Sequence, residues 1–113
     1  MCFRFKQMQN EDIAVFINEM FEILASNMNV IAPTGNSYDA DFKIWSECVV
    51  PVWREGKRLV ILIFCEDTLC GFFQYFVNYK TFRMDEIQFK KEYQGCGLFA
   101  ELYHYLTTII PVQ

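Results

Sequence analysis

The stretch Asp85-Glu86-Ile87-Gln88-Phe89-Lys90-Lys91-Glu92-Tyr93-Gln94-Gly95-Cys96-Gly97-Leu98-Phe99-Ala100-Glu101-Leu102 is the most informative part of this chain. Its first residues complete a strand predicted over Phe82–Phe89. A loop with two glycines, Gly95 and Gly97, follows, and a helix is predicted to start at once and run to about Thr107. Leu98, Leu102 and either Tyr105 or Leu106 should turn inward on that helix. Such a corner is suited to anions. The first N–H groups of a helix have no intrahelical acceptors, and the helix end carries partial positive charge. Glycine lets the main chain approach a phosphate closely. Two glycines also serve simply to turn a strand into a helix, so the spacing alone leaves both readings open. A dinucleotide fingerprint would need a third glycine and a later acidic residue, and a P-loop would need Gly-Lys-Ser/Thr. Neither is present.

The chain before this corner divides cleanly. Cys2–Met8 alternates apolar and polar residues, as a half-wet strand does. Asn10 is a suitable helix cap, with Glu11 and Asp12 in the first turn and Ile13, Phe16, Ile17, Met20, Phe21 and Leu24 at helical spacing. Pro33–Ser37 reads as a loop. A second helix is predicted over Tyr38–Arg54, burying Phe42, Trp45, Val49, Val52 and Trp53. Pro51 is expected to kink it or end it early, with Gly56 as the stop. Leu59–Cys65 is a continuous apolar run, as in a strand covered on both faces. Turns at Glu66–Thr68 and Asn78–Thr81 then set off two returning strands, Leu69–Asn78 and Phe82–Phe89, in a meander. The tail from Thr107 to Gln113 is ambiguous, strand-like at Thr108–Ile110 but followed by Pro111. The predicted order is β-α-α-β-β-β-α, an α+β sheet with helices on its faces, in one domain covering residues 1–113.

Composition narrows the function. The 113 residues are 53% hydrophobic and 18% aromatic, enough for a real core. A net charge of −4, with Lys57–Arg58 and Lys90–Lys91 the two adjacent basic pairs, argues against nucleic acid as a partner. The longest apolar run falls far short of the ~20 residues of a membrane helix, and no signal-peptide pattern opens the chain. A cytoplasmic protein with no membrane partner is expected. Five cysteines without a CxxC pair read as reduced thiols, and a single histidine, His104, makes a zinc site improbable, so no metal is expected.

Tyr93–Leu102 resembles the signature of the GCN5-related N-acetyltransferases (GNATs), Gln/Arg-x-x-Gly-x-Gly/Ala after the fourth strand. Gln94 matches its first position and Gly97 its fourth, while Phe99 stands where the family prefers Gly or Ala, with Ala100 one residue late. Phe99 would narrow a pyrophosphate pocket. The order of elements before the motif matches the family as well, so the resemblance spans nearly the whole chain. It implies acetyl-CoA as cosubstrate and a small-molecule or peptide amine as acceptor. The pantetheine arm would pair with the main chain of Ile87, Gln88 and Phe89, and the amides of Gln94, Gly95, Cys96, Gly97, Leu98 and Phe99 would face the pyrophosphate. A carboxylate on the fourth strand would take the amine's proton directly or through water. Glu86 is the candidate base and Asp85 the reserve, and alternation along the strand should turn only one of them to the cleft.

The family continues with a splayed fifth strand, a fourth helix carrying an acid Tyr, and a closing hairpin. Tyr103 and Tyr105 do not match that Tyr, so the domain is expected to be incomplete at its C-terminus. An uncovered fourth strand would invite pairing with a second copy, and a homo-oligomer through that edge is expected. The alternative is a catalytically silent GNAT-like fragment acting as a CoA-binding or assembly module. A PAS-like sensor would need five antiparallel strands, and the sequence offers four. Among the thiols, Cys65 and Cys70 are expected to face one another across the Glu66–Leu69 turn, buried rather than redox-active. Cys96 sits where a helix end activates a thiol, although an ordinary loop residue is the simpler reading.

Overall fold

The computed structural model describes residues 3–31, 34–78 and 81–109. Along it run β1 (Phe3–Gln7), α1 (Asn10–Ile31), α2 (Tyr38–Arg54), β2 (Leu59–Cys65), β3 (Thr68–Asn78), β4 (Thr81–Phe89), one 3-10 turn (Lys91–Tyr93) and α3 (Leu98–Ile109). The order is the β-α-α-β-β-β-α expected from the sequence. Cys2, Pro33, the centre of the turn before β4, and the tail beyond Ile109 lie outside the described residues.

All pairings are antiparallel, in the spatial order β1-β2-β3-β4. The alternation of strand side chains sorts the core into two layers. Val60, Leu62, Phe64 and Phe72 face α1 and α2, where they meet Ile13, Met20, Ile23 and Trp53. Ile61, Ile63, Phe73 and Tyr75 face the other way, onto Leu98 and Leu102 of α3. This two-sided cover explains the unbroken apolar run of β2, where Val60–Phe64 is buried throughout.

The helix ends depart from expectation in two places. Gln9 rather than Asn10 occupies the cap of α1. Asp12 N donates to Gln9 O at 2.9 Å, and the Asp12 carboxylate accepts from Gln9 N at 2.9 Å, the reciprocal bond of a capping box. Lys6 Nζ completes the site at 2.8 Å and so ties β1 to α1. Pro51 does not end α2 early. It sits within the last turn, so its missing N–H removes a single helical bond. Buried Trp53 anchors that turn, and Gly56, at φ +74°, closes it. Gly56 N donates to Trp53 O and Lys57 N to Val52 O, a Schellman closure.

Two β-bulges break the sheet's register. Between β2 and β3 the extra residue is Cys70, because Ile63 pairs with Gly71 and Phe64 with Leu69. Cys65 faces Thr68, not Cys70 as expected, because only Glu66 and Asp67 separate the two strands. Between β3 and β4 the extra residue is Asp85, because Gln74 pairs with Glu86 and Tyr75 with Met84. Gly71, beside the first bulge, is required by proximity. A Cβ there would lie 2.5 Å from Gln88 O and 2.8 Å from the Phe89 ring.

Candidate functional site

Strand β4 is an edge strand whose ladder to β3 fixes which main-chain groups point outward. Lys90 N donates to Cys70 O at 2.9 Å. With Gly71 opposite Phe89 and Phe73 opposite Ile87, antiparallel alternation turns the N–H and C=O of Ile87 and Phe89 away from the sheet. The main chain of Gln88 faces β3. Of the three residues expected to offer backbone to a pantetheine arm, Ile87 and Phe89 thus lie at the open edge, and Gln88 reaches it only through its side chain. The Phe89 carbonyl already accepts from Asn27 Nδ2 at 3.0 Å and Gln94 Nε2 at 3.3 Å.

Beyond β4 the chain turns through Lys91–Tyr93, where Tyr93 packs edge-on against Phe3 with ring centroids 6.1 Å apart. Gly95 (φ +82°) and Gly97 (φ +84°) both adopt the left-handed backbone that L-residues avoid. No atom lies within 4 Å of where either Cβ would stand, so conformation rather than crowding selects glycine there. Gln94 N donates to Lys91 O, and Glu101 N closes the first turn of α3 on Gly97 O. Among the described residues, the amides of Gly95, Cys96, Gly97, Leu98, Phe99 and Ala100 have no protein acceptor. Leu98 is buried and fixes the helix to the sheet, while Phe99 is 52% exposed. The Cys96 thiol donates to Tyr93 O at 2.8 Å, which occupies it within the loop.

The two acidic candidates differ in their surroundings. Asp85, the bulge residue, pairs with Arg58 Nε at 3.1 Å, and its side chain is only 20% exposed. Half-buried Glu86 accepts from Gln74 Nε2 at 2.8 Å and from Gln88 Nε2 at 3.1 Å. Gln74 is 1% exposed and accepts in turn from Trp53 Nε1 at 3.0 Å. The bulge relaxes strict alternation here, so neighbouring carboxylates take separate partners without the either-or orientation expected of a regular strand. Gln74 and Asn27 were not anticipated from the sequence as part of the site. The visible signal was Gln74, the one amide in the apolar run from Leu69 to Val77.

Other features lie apart. His104 lines a shallow apolar groove of about 430 Å³ with Phe5, Ala100, Glu101, Tyr105 and Thr108. Among the described residues no three His, Cys, Asp or Glu side chains converge as a metal would need, and no helix is long and apolar enough to cross a membrane. Burial pushes the Cys70 thiol up to about 11.

A bulged fourth strand, a glycine corner and a helix N-terminus, carried on β-α-α-β-β-β-α, make this the GNAT acetyltransferase fold. The chain is similar to the PaiA N-acetyltransferase of Thermoplasma acidophilum, solved in complex with coenzyme A (16% identity, TM-score 0.70, covering 96% of this chain and 72% of that one). It is also similar to a possible acetyltransferase from Clostridium difficile (14%, 0.62, 96% and 71%) and to glucosamine-6-phosphate N-acetyltransferase from Arabidopsis thaliana (14%, 0.54, 96% and 74%). No family model and no curated protein sequence matches the chain.

Proposed function

We propose that the protein transfers an acetyl group from acetyl-CoA to an amine by direct attack. The observation that carries this reading is the run of unpartnered amides from Gly95 to Ala100, set beside the outward main chain of Ile87 and Phe89. A diphosphate bridging that corner would receive several N–H donors and the positive end of α3 without needing lysine or arginine. This suits a chain of net charge −4.

Acetyl-CoA supplies an activated thioester. The outward N–H of Ile87 would polarise its carbonyl, an oxyanion-type contribution. Glu86 takes a proton from the incoming ammonium, directly or through one water. The freed amine forms the new N–C bond, the C–S bond breaks, and the second proton that the nitrogen sheds is taken up by the leaving thiolate, directly or through water. Asp85, paired with Arg58, is the reserve for that role. An acidic protein attracts a cationic amine, whether small molecule or peptide.

The test is thermal unfolding with coenzyme A and with acetyl-CoA. A ligand at a hundred times its dissociation constant adds about 2.7 kcal/mol of stability. Stabilisation by both, with acetyl-CoA consumed when amines are supplied, is the expected result. No stabilisation by either would overturn the reading.

A further inference from the structure

Hydrogen bonds around Glu86 run in one direction only, and that direction is set by groups that cannot reverse. An indole N–H is a donor and never an acceptor. Trp53 Nε1 therefore obliges Gln74 to present its carbonyl oxygen inward, at 3.0 Å, and its NH2 to Glu86 Oε1, at 2.8 Å. The second arm is anchored equally firmly. A main-chain carbonyl only accepts, so Phe89 O, at 3.0 Å, obliges Asn27 to turn its NH2 toward it. The same NH2 donates to Gln88 Oε1 at 2.9 Å, which sends Gln88 Nε2 to Glu86 Oε2 at 3.1 Å. Both arms end on the same carboxylate, one on each oxygen.

We infer that Trp53–Gln74 and Asn27–Gln88 are two one-way arms that hold Glu86 as an obligatory acceptor, which makes these four residues positioning groups for proton removal from the acceptor amine. The inference rests on the acetyl-transfer reading for its purpose, although the arms themselves do not depend on it. Each oxygen spends one lone pair on an arm and keeps another for the amine proton. On transfer, that proton moves from the ammonium nitrogen to Glu86, and the nitrogen lone pair becomes free for attack on the thioester carbonyl. Gln74 is buried and Trp53 lies in the core between α2 and the sheet, so the carboxylate is braced from inside the molecule. A surface glutamate would have to give up rotamer freedom at each encounter.

The arms predict a signature that needs no catalysis. In Glu86→Gln an amide replaces one acceptor with a donor, and neither arm can reverse to meet it. The indole N–H resonance of Trp53 should move in proton–nitrogen spectra, as should the side-chain NH2 pairs of Gln74 and Gln88. Trp45 makes no such bond among the described residues and serves as the reference. In turnover, Trp53→Phe and, on the more exposed arm, Gln88→Met should each lower kcat about tenfold, with the KM for acetyl-CoA unchanged. Unmoved Trp53 and Gln74 resonances in Glu86→Gln, or unchanged kcat in both arm variants, would overturn the inference. Failure of coenzyme A to bind the unaltered protein would instead remove the transferase reading and leave the spectra to decide the arms.

Discussion

Glu86 is where substitution has the most to disturb. In Glu86→Gln, one of two amide donors is left facing another donor, and an unmet polar group of this kind costs about 1–3 kcal/mol. Loss of a general base costs a further 10²–10⁴-fold in rate. The variant should therefore unfold earlier and turn over at least about a hundredfold more slowly, while coenzyme A binding persists because the Gly95–Ala100 amides are untouched. Turnover equal to the parent's would remove Glu86 from the mechanism. Asp12 offers a purely structural counterpart. Burial raises its pKa, but the bonds from Lys6 and Gln9 N outweigh burial, and the group ends below the ordinary carboxylate value. A depressed native pKa stabilises the fold above the unfolded value of about 3.9, and that stability is lost as the pH falls through the native value. Asp12→Ala should cost about 1 kcal/mol at neutral pH. Urea titrations at several pH values should show the two proteins converging below about pH 4.

Strand β4 is held against β3 so closely at Gly71 that the smallest side chain would collide with it. Gly71→Ala would push a methyl into Gln88 O and the Phe89 ring, and the carbonyl belongs to the backbone, which cannot step aside. Overpacking of this sort costs about 1–3 kcal/mol. It also moves the strand that carries Glu86, Ile87 and Phe89, so denaturant midpoint and turnover should fall together in this variant. A parent-like midpoint would show that β4 has more freedom than its ladder implies. The elements themselves were legible because the period of apolar residues changes visibly along the chain, from alternation at Phe3–Gln7 to helical spacing at Ile13–Leu24. The glycine corner was legible because Gly95 and Gly97 sit at a strand-to-helix change. The bulges at Cys70 and Asp85 were not, since a register slip leaves the apolar pattern nearly unaltered and depends on long-range pairing. Pro51 misled for a related reason: propensity counts the lost bond, while the burial of Trp53 and the closure at Gly56 that outweigh it are tertiary.

At the scale of the whole molecule, the open flank of β4 remains the feature with most consequence. The outward N–H and C=O of Ile87 and the N–H of Phe89 have no protein partner among the described residues, on a nine-residue edge strand whose outward Phe89 carbonyl is met by Asn27 of α1. Unpaired edges of that length attract strands. The same groups are the ones a pantetheine arm would use, so ligand and a second copy of the chain would compete for one surface. Two outcomes follow for the chain of 113 residues. Light scattering coupled to size exclusion should give a dimer without ligand, and saturating coenzyme A should shift it toward monomer, because a ligand that binds only the open edge draws the equilibrium to that state. Ile87→Pro separates the two contributions. Proline removes an outward donor while sparing the bonds to β3, and edge strands tolerate it. That variant should be monomeric with its sheet intact by circular dichroism. A clean monomer in the unaltered chain without ligand would show that the edge is protected by its own twist and bulge, and that the competition does not arise.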